Sequence, residues 1–213
     1  MRIEMLGDRA FVLRDLPSSP SWCARVLEGA LGDVEVVPSY ESIGVYALSN
    51  ASLSDLEERL YALEWPHETG ENGGKLHELP VCYELGPDLG EAAERLELSA
   101  EALVDAHAGS DYQCFALGFC PGFAYLGYLP EVIAGLPRKV SPRVRVEPGS
   151  VGITGRQTGV YPLERPGGWW LIGRCPLELV SLEDAYFPIS AGDRVRFRRI
   201  DEEEFARRMG ERL

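Results

Sequence analysis

The chain has 213 residues, 45% of them hydrophobic, with a net charge of −13 and a mean hydropathy of −0.12. That length supports one large or two small domains with cores of their own. The acidic surplus excludes nucleic acid or an anionic membrane as a partner of the surface as a whole.

The elements begin with a short hairpin or bulged strand over residues 2–6 and Ala10 to Leu13, turning at Gly7-Asp8. Ser19 reads as an N-cap with Pro20 at the first helical position, and Trp22, Cys23, Val26 and Leu27 fall on adjoining helical rows up to Gly32. Strands follow at Val34 to Pro38 and Ile43 to Leu48. Ser54 and Glu57 form a capping box for a helix carrying Leu56, Leu60 and Leu63. After the polar passage from His67 to Gly74, a strand at Leu79 to Tyr83 completes a split β-α-β arrangement of ferredoxin type. The expected first domain, α+β and ferredoxin-like, is 1–84.

Asp88 and Glu91 read as a second capping box, opening a helix to about Leu96. Ser99 caps another helix, in which His107 lies four residues beyond Leu103 and so on its inward face. From Tyr112 onward, short apolar runs alternate with Gly and Pro turns, the pattern of a compact all-β barrel. Its expected strands are Gln113 to Leu117, Val151 to Thr154, Gly159 to Leu163, Trp169 to Arg174 and Arg194 to Arg199, with a short charged helix after Asp201. This second domain is 85–213.

Five cysteines, an odd number without C-x-x-C pairing, and three histidines at no ligand spacing make a disulfide framework or a metal site unexpected. The Met-Arg-Ile-Glu start lacks an apolar run and no long apolar stretch follows, so the expected location is cytoplasmic.

Chemistry concentrates between Gly118 and Pro176, where seven basic residues face three acids, a net of +4 in a chain whose remainder carries −17. Such a cationic island suits a carboxylate or phosphate, or else pairs with acids elsewhere in the fold. Arg143 and Arg145, two apart on a strand, share a face and form either an anion fork or two exposed arginines. Arg156 and Gln157 sit at a glycine-flanked loop tip, and Tyr161, with Tyr125 and Tyr128, either orients a small ligand or builds a wall. His107 is the best acid or base by residue type, set against a core histidine satisfied by hydrogen bonds. The Gly152-to-Gly159 run has the glycine density of a phosphate loop without its Gly-Lys-Ser/Thr ending. One hollow gathering Arg143, Arg145, Gln157 and His107 is the expectation that follows.

The runs GFCPGFAYLGYLP, GSVGITGRQTGVYPLERPGGWWLIGRCPLEL and AGDRVRF, with LPVCYELGPDL upstream, resemble the allophanate hydrolase subunit 1 family. That family includes B subunits of bacterial ATP-dependent 5-oxoprolinase and Kip-type inhibitors of a sporulation histidine kinase. The resemblance implies a cyclophilin-like barrel, and the position of His107 matches the family pattern; read from the residues themselves, the candidate catalytic pair is His107 and Gln157, with substrate or phosphate contacts from Arg143, Arg145, Arg156 and Tyr161. It further implies ATP as co-substrate and partner subunits A and C, of which C is related to allophanate hydrolase subunit 2; the alternative is a non-catalytic regulator whose partner is a histidine kinase.

Overall fold

The computed structural model describes residues 1–48, 52–66 and 74–213. His67 and most of the polar passage that follows it lie outside the described residues. Two compact units result, Met1–Gly73 and Gly74–Leu213.

In the first unit, β1 (Arg2–Leu6) and β2 (Ala10–Arg14) form a hairpin, and α1 (Pro20–Ala30) leads to a second hairpin of β3 (Val34–Ser39) and β4 (Ser42–Ala47). Helix α2 (Leu53–Ala62) follows. The sheet order is β1-β2-β4-β3, antiparallel throughout. Ser19 caps α1 as its sequence indicates, accepting from the Trp22 N–H at 3.4 Å. For α2 the cap is Ser52, which accepts from the Asp55 N–H, while the Ser54 hydroxyl lies 2.8 Å from the Ser52 hydroxyl. The two helices set Trp22, Cys23, Leu27, Leu56 and Leu60 on the inward side chains of β2 and β4, among them Leu13 and Ile43.

The strand expected to complete this sheet does not belong to it. β5 (Leu76–Val81) runs parallel to β13 (Arg194–Arg199), pairing Leu79 with Phe197, and so lies in the second unit. The edge position next to β2 goes to β1 instead.

The second unit is a seven-stranded sheet curled into a nearly closed barrel. Beyond β5, its strands are β6 (Asp111–Leu117), β7 (Ala124–Gly127), β9 (Ser150–Thr154), β10 (Gln157–Val160), β12 (Trp170–Arg174) and β13, in the order β12-β9-β10-β7-β6-β13-β5. Closure comes from the Cys82–Arg174 bridge, where each residue donates its N–H to the other's carbonyl at 2.8 and 2.9 Å. The three helices expected around the barrel are present, α3 (Leu89–Arg95), α4 (Ala100–Ala108) and α5 (Glu202–Arg208), and the barrel itself is a mixed sheet through the parallel β5–β13 pair. β8 (Arg143–Val146) and β11 (Arg165–Gly167) form a separate two-stranded ribbon.

β13 shows how sequence alternation builds the barrel wall. Val195 and Phe197 point into the core at 0% and 1% exposure. The intervening arginines point outward, Arg196 onto Asp111 and Arg198 onto Glu78 and Glu204. The apolar residues hold the strand; exposed ion pairs of this kind each contribute about 1 kcal/mol or less.

Candidate functional site

The sequence from Gly118 to Gly168 builds an aromatic recess of about 290 Å³, close to the lower end of the roughly 300–1,000 Å³ of small-molecule sites. The Gly-Phe-Cys-Pro-Gly turn forms one wall. Gly122 takes φ +73°, and a Cβ there would collide with Val180, so only glycine fits. The turn thereby delivers Phe119 and Phe123, which meet Tyr161 edge-on at 6.1 and 5.3 Å between ring centres; Trp169 packs on Phe123 at 5.4 Å. Pro166 and Gly167 at the end of β11, with Gly168, close the recess. A Cβ on Gly167 would overlap the Tyr161 hydroxyl.

The rim carries the charge. Lys139 is anchored by its backbone N–H on the Gly168 carbonyl at 2.8 Å, by its ammonium on Asp88 and Glu91 at 2.8 and 3.3 Å, and over the Trp170 ring at 4.2 Å. Its neighbour Arg138 is exposed and has no carboxylate partner among the described residues, although it lines the same recess. Burial raises the Tyr161 phenol above its ordinary value, opposed by a bond with the Trp169 backbone and by the Arg138 charge. The recess therefore offers apolar ring faces, a neutral phenol and one uncommitted guanidinium. Those are the parts that hold a small ring bearing a carboxylate.

The residues singled out by sequence are not gathered in one hollow. Tyr161, 2% exposed, lies in the aromatic recess. Arg143 and Arg145 line a different depression, and each meets acids: Arg143 donates to Asp88 at 2.6 Å, Arg145 to Glu147 and Glu164 at 3.0 and 2.7 Å. Arg156 is exposed at the β9–β10 turn, its guanidinium 4.2 Å from the Tyr128 ring centre. Gln157 is half-buried at the start of β10, opposite Thr154 and Gly127. His107 is fully buried on α4, with Nδ1 at 2.8 Å from the Tyr83 hydroxyl and Nε2 at 2.8 Å from Thr158 Oγ1. Phe197 stacks on its ring at 4.5 Å. Burial lowers its pKa from 6.5 to about 3, so the imidazole is neutral.

The sequence marks Asp88 as a helix cap, and the structure gives its side chain a different task. At 3% exposure it makes no side-chain cap bond and instead accepts from Lys139, from Arg143 and from the Leu171 N–H at 2.8 Å. Burial alone would raise its pKa; the bonds from Arg143, Lys139 and Leu171 outweigh it and hold the carboxyl below its usual range. Arg138 is visible in sequence as one member of the cationic island, but residue type alone does not reveal which cation of the recess stays without a carboxylate partner. Cys120 is buried, and burial pushes its thiol up, away from a nucleophile's thiolate.

Comparison with known proteins fits this architecture. Residues 1–187 match the family described as carboxyltransferase domain, subdomain C and D. The chain belongs to that family. It is 37% identical over 231 residues to the 5-oxoprolinase B subunit of Bacillus subtilis (strain 168), covering 96% of this chain and 95% of that one. It is 43% identical over 168 residues to the protein of the same name from Escherichia coli O157:H7, covering 77% of each. Among solved structures, TTHA0988 in space group P212121 superposes with a TM-score of 0.78 at 35% identity. That match covers 91% of this chain and only 40% of that one, so this family member spans less than half of the longer chain. The resemblance carried by the glycine-rich motifs is thereby shown to be one of family.

Proposed function

We propose that this chain is the B-type subunit of an ATP-dependent 5-oxoprolinase and that its aromatic recess receives 5-oxo-L-proline. The observation that carries the reading is the near end-to-end match, at 37% identity, with a 5-oxoprolinase B subunit; the recess supplies a physical counterpart. A five-membered lactam is a small flat ring with one carboxylate. Phe123, Tyr161 and Trp169 face the ring, and Arg138 pairs the carboxylate.

Hydrolysis of a lactam to glutamate must overcome amide resonance, and phosphorylation of the amide oxygen by ATP removes it: water adds to that carbon, the ring C–N bond breaks with the nitrogen taking a proton, and a second water hydrolyses the resulting acyl phosphate to glutamate and phosphate. Positioning and positive charge dominate such phosphoryl transfer. The Gly152-to-Gly159 run lacks the Gly-Lys-Ser/Thr ending, and the recess offers phenols and two cations, without an imidazole, thiol or carboxylate among its lining residues. The role we assign to this chain is accordingly to bind and orient the lactam, with partner subunits of A and C type completing the reaction.

The test is reconstitution of A, B and C with 5-oxoproline-dependent ATP hydrolysis as the readout. Activity should require this chain, which alone is inactive; undiminished turnover without it would end the proposal. Arg138→Gln should raise KM for 5-oxoproline roughly 10- to 100-fold, the loss of one charge-assisted hydrogen bond. kcat should change far less.

A further inference from the structure

A second depression in the same unit, of about 280 Å³, is lined by Pro87, Arg143, Arg145, Glu147, Ser150 and Arg174 among others. It shares no cationic side chain with the aromatic recess. Its cations are unevenly paired. Arg145 is matched by Glu147 and Glu164, and Arg143 shares the single carboxylate of Asp88 with Lys139. Arg174 has no carboxylate partner among the described residues; its Nη2 donates to the Pro148 carbonyl at 3.2 Å.

Two of the residues that line this depression each carry an orphaned donor. Arg143 Nη1 and Arg174 Nε are both buried, and neither has a hydrogen-bond partner among the described residues. Buried N–H groups without acceptors are disfavoured, and guanidinium groups are especially suited to forked bonds with phosphate or carboxylate. Ser150 stands opposite Arg174 in the β9–β12 register and is 4% exposed. The three side chains come from β8, β12 and β9. Donors converging from three strands match a tetrahedral anion better than a planar carboxylate.

We infer that this depression is an oxyanion site of the phosphate class, in which Arg143 and Arg174 rotate their orphaned N–H groups onto ligand oxygens and Ser150 donates a third bond. The rotation is required because both atoms are out of water's reach in the arrangement described. The inference does not depend on the reaction proposed above.

The experiment is a titration of the ¹⁵N-labelled full chain with inorganic phosphate at constant ionic strength, following arginine Nε–Hε signals. The Arg174 signal is identified by its disappearance in Arg174→Gln. It should shift saturably, and calorimetry should show affinity falling roughly tenfold or more in both Arg174→Gln and Arg143→Gln. Because Arg143→Gln also loosens Asp88, Arg174→Gln is the deciding variant, with unchanged near-ultraviolet circular dichroism showing that it is folded. Competition separates the sources: displacement of phosphate by ATP assigns the site to a nucleotide's phosphoryl group, and no displacement assigns it to free phosphate. Absence of a saturable shift, or phosphate affinity unchanged in folded Arg174→Gln, would overturn the inference.

Discussion

His107 shows how burial redirects a residue's chemistry. Both ring nitrogens are committed, to Tyr83 and Thr158, and Thr158 in turn donates to the Gly152 carbonyl at 3.1 Å. The ring therefore ties α4 to β9 and β10 as a neutral hydrogen-bonding group. Its folded pKa of about 3 lies below the unfolded value of 6.5. The stability it contributes is full above pH 6.5 and is lost as pH falls toward 3, because the unfolded state takes up a proton that the folded state refuses. Thermal melts should show a falling midpoint across that window, with a slope of up to about 1.4 kcal/mol per pH unit from this group. His107→Gln should flatten the dependence, and an unchanged pH profile in that variant would rule the assignment out. Asp88 is the complementary case. Removing its carboxylate in Asp88→Ala should destabilise the second unit by roughly 2–3 kcal/mol, below the 3–5 of a fully buried pair because Lys139 and Arg143 keep partial access to water. Denaturant unfolding of the purified variant measures it.

At the scale of elements, local chemistry is readable in the sequence and long-range partnership is not. Ser19 and Ser99 declare their helices because a cap acts within three residues, and both accept the expected backbone bond. The i,i+4 relation of Leu103 and His107 likewise fixes which way the imidazole points. By contrast, β5 shows nothing in its own composition of a partner more than a hundred residues later, and local pattern alone assigns it to the wrong sheet. Short β7 and β11 escape notice because three or four residues among glycines and prolines carry too little alternation. The candidate site divides the same way. Its glycine scaffold and cationic excess are legible as composition, whereas which cations are left without a carboxylate depends on where Asp88, Glu91, Glu147 and Glu164 arrive in space. Strand spacing suggests that Arg143 and Arg145 act as one fork; they share a depression, but one is bound to Asp88 and the other to Glu147 and Glu164.

For the whole molecule, the decisive connection is the parallel pair of β5 and β13, which joins Leu76–Val81 to Arg194–Arg199. Non-local pairing of this kind makes closure entropically costly and slow. Ending the chain after Ser190 removes β13 and leaves β5 and β6 without the strand between them. Such a truncation should abolish cooperative unfolding of the second unit while the first retains its hairpins and helices; limited proteolysis followed by mass spectrometry would show protection confined to residues before 74. A cooperative second transition in the truncated chain would contradict the architecture described. The same pairing sets a timetable for biosynthesis. A ribosome releases β5 more than a hundred residues ahead of β13, so its hydrogen-bonding edge and the apolar residues behind it wait for that distant segment to emerge. During that interval the nascent protein has an open sheet to guard, and a holding chaperone has its longest opportunity to engage.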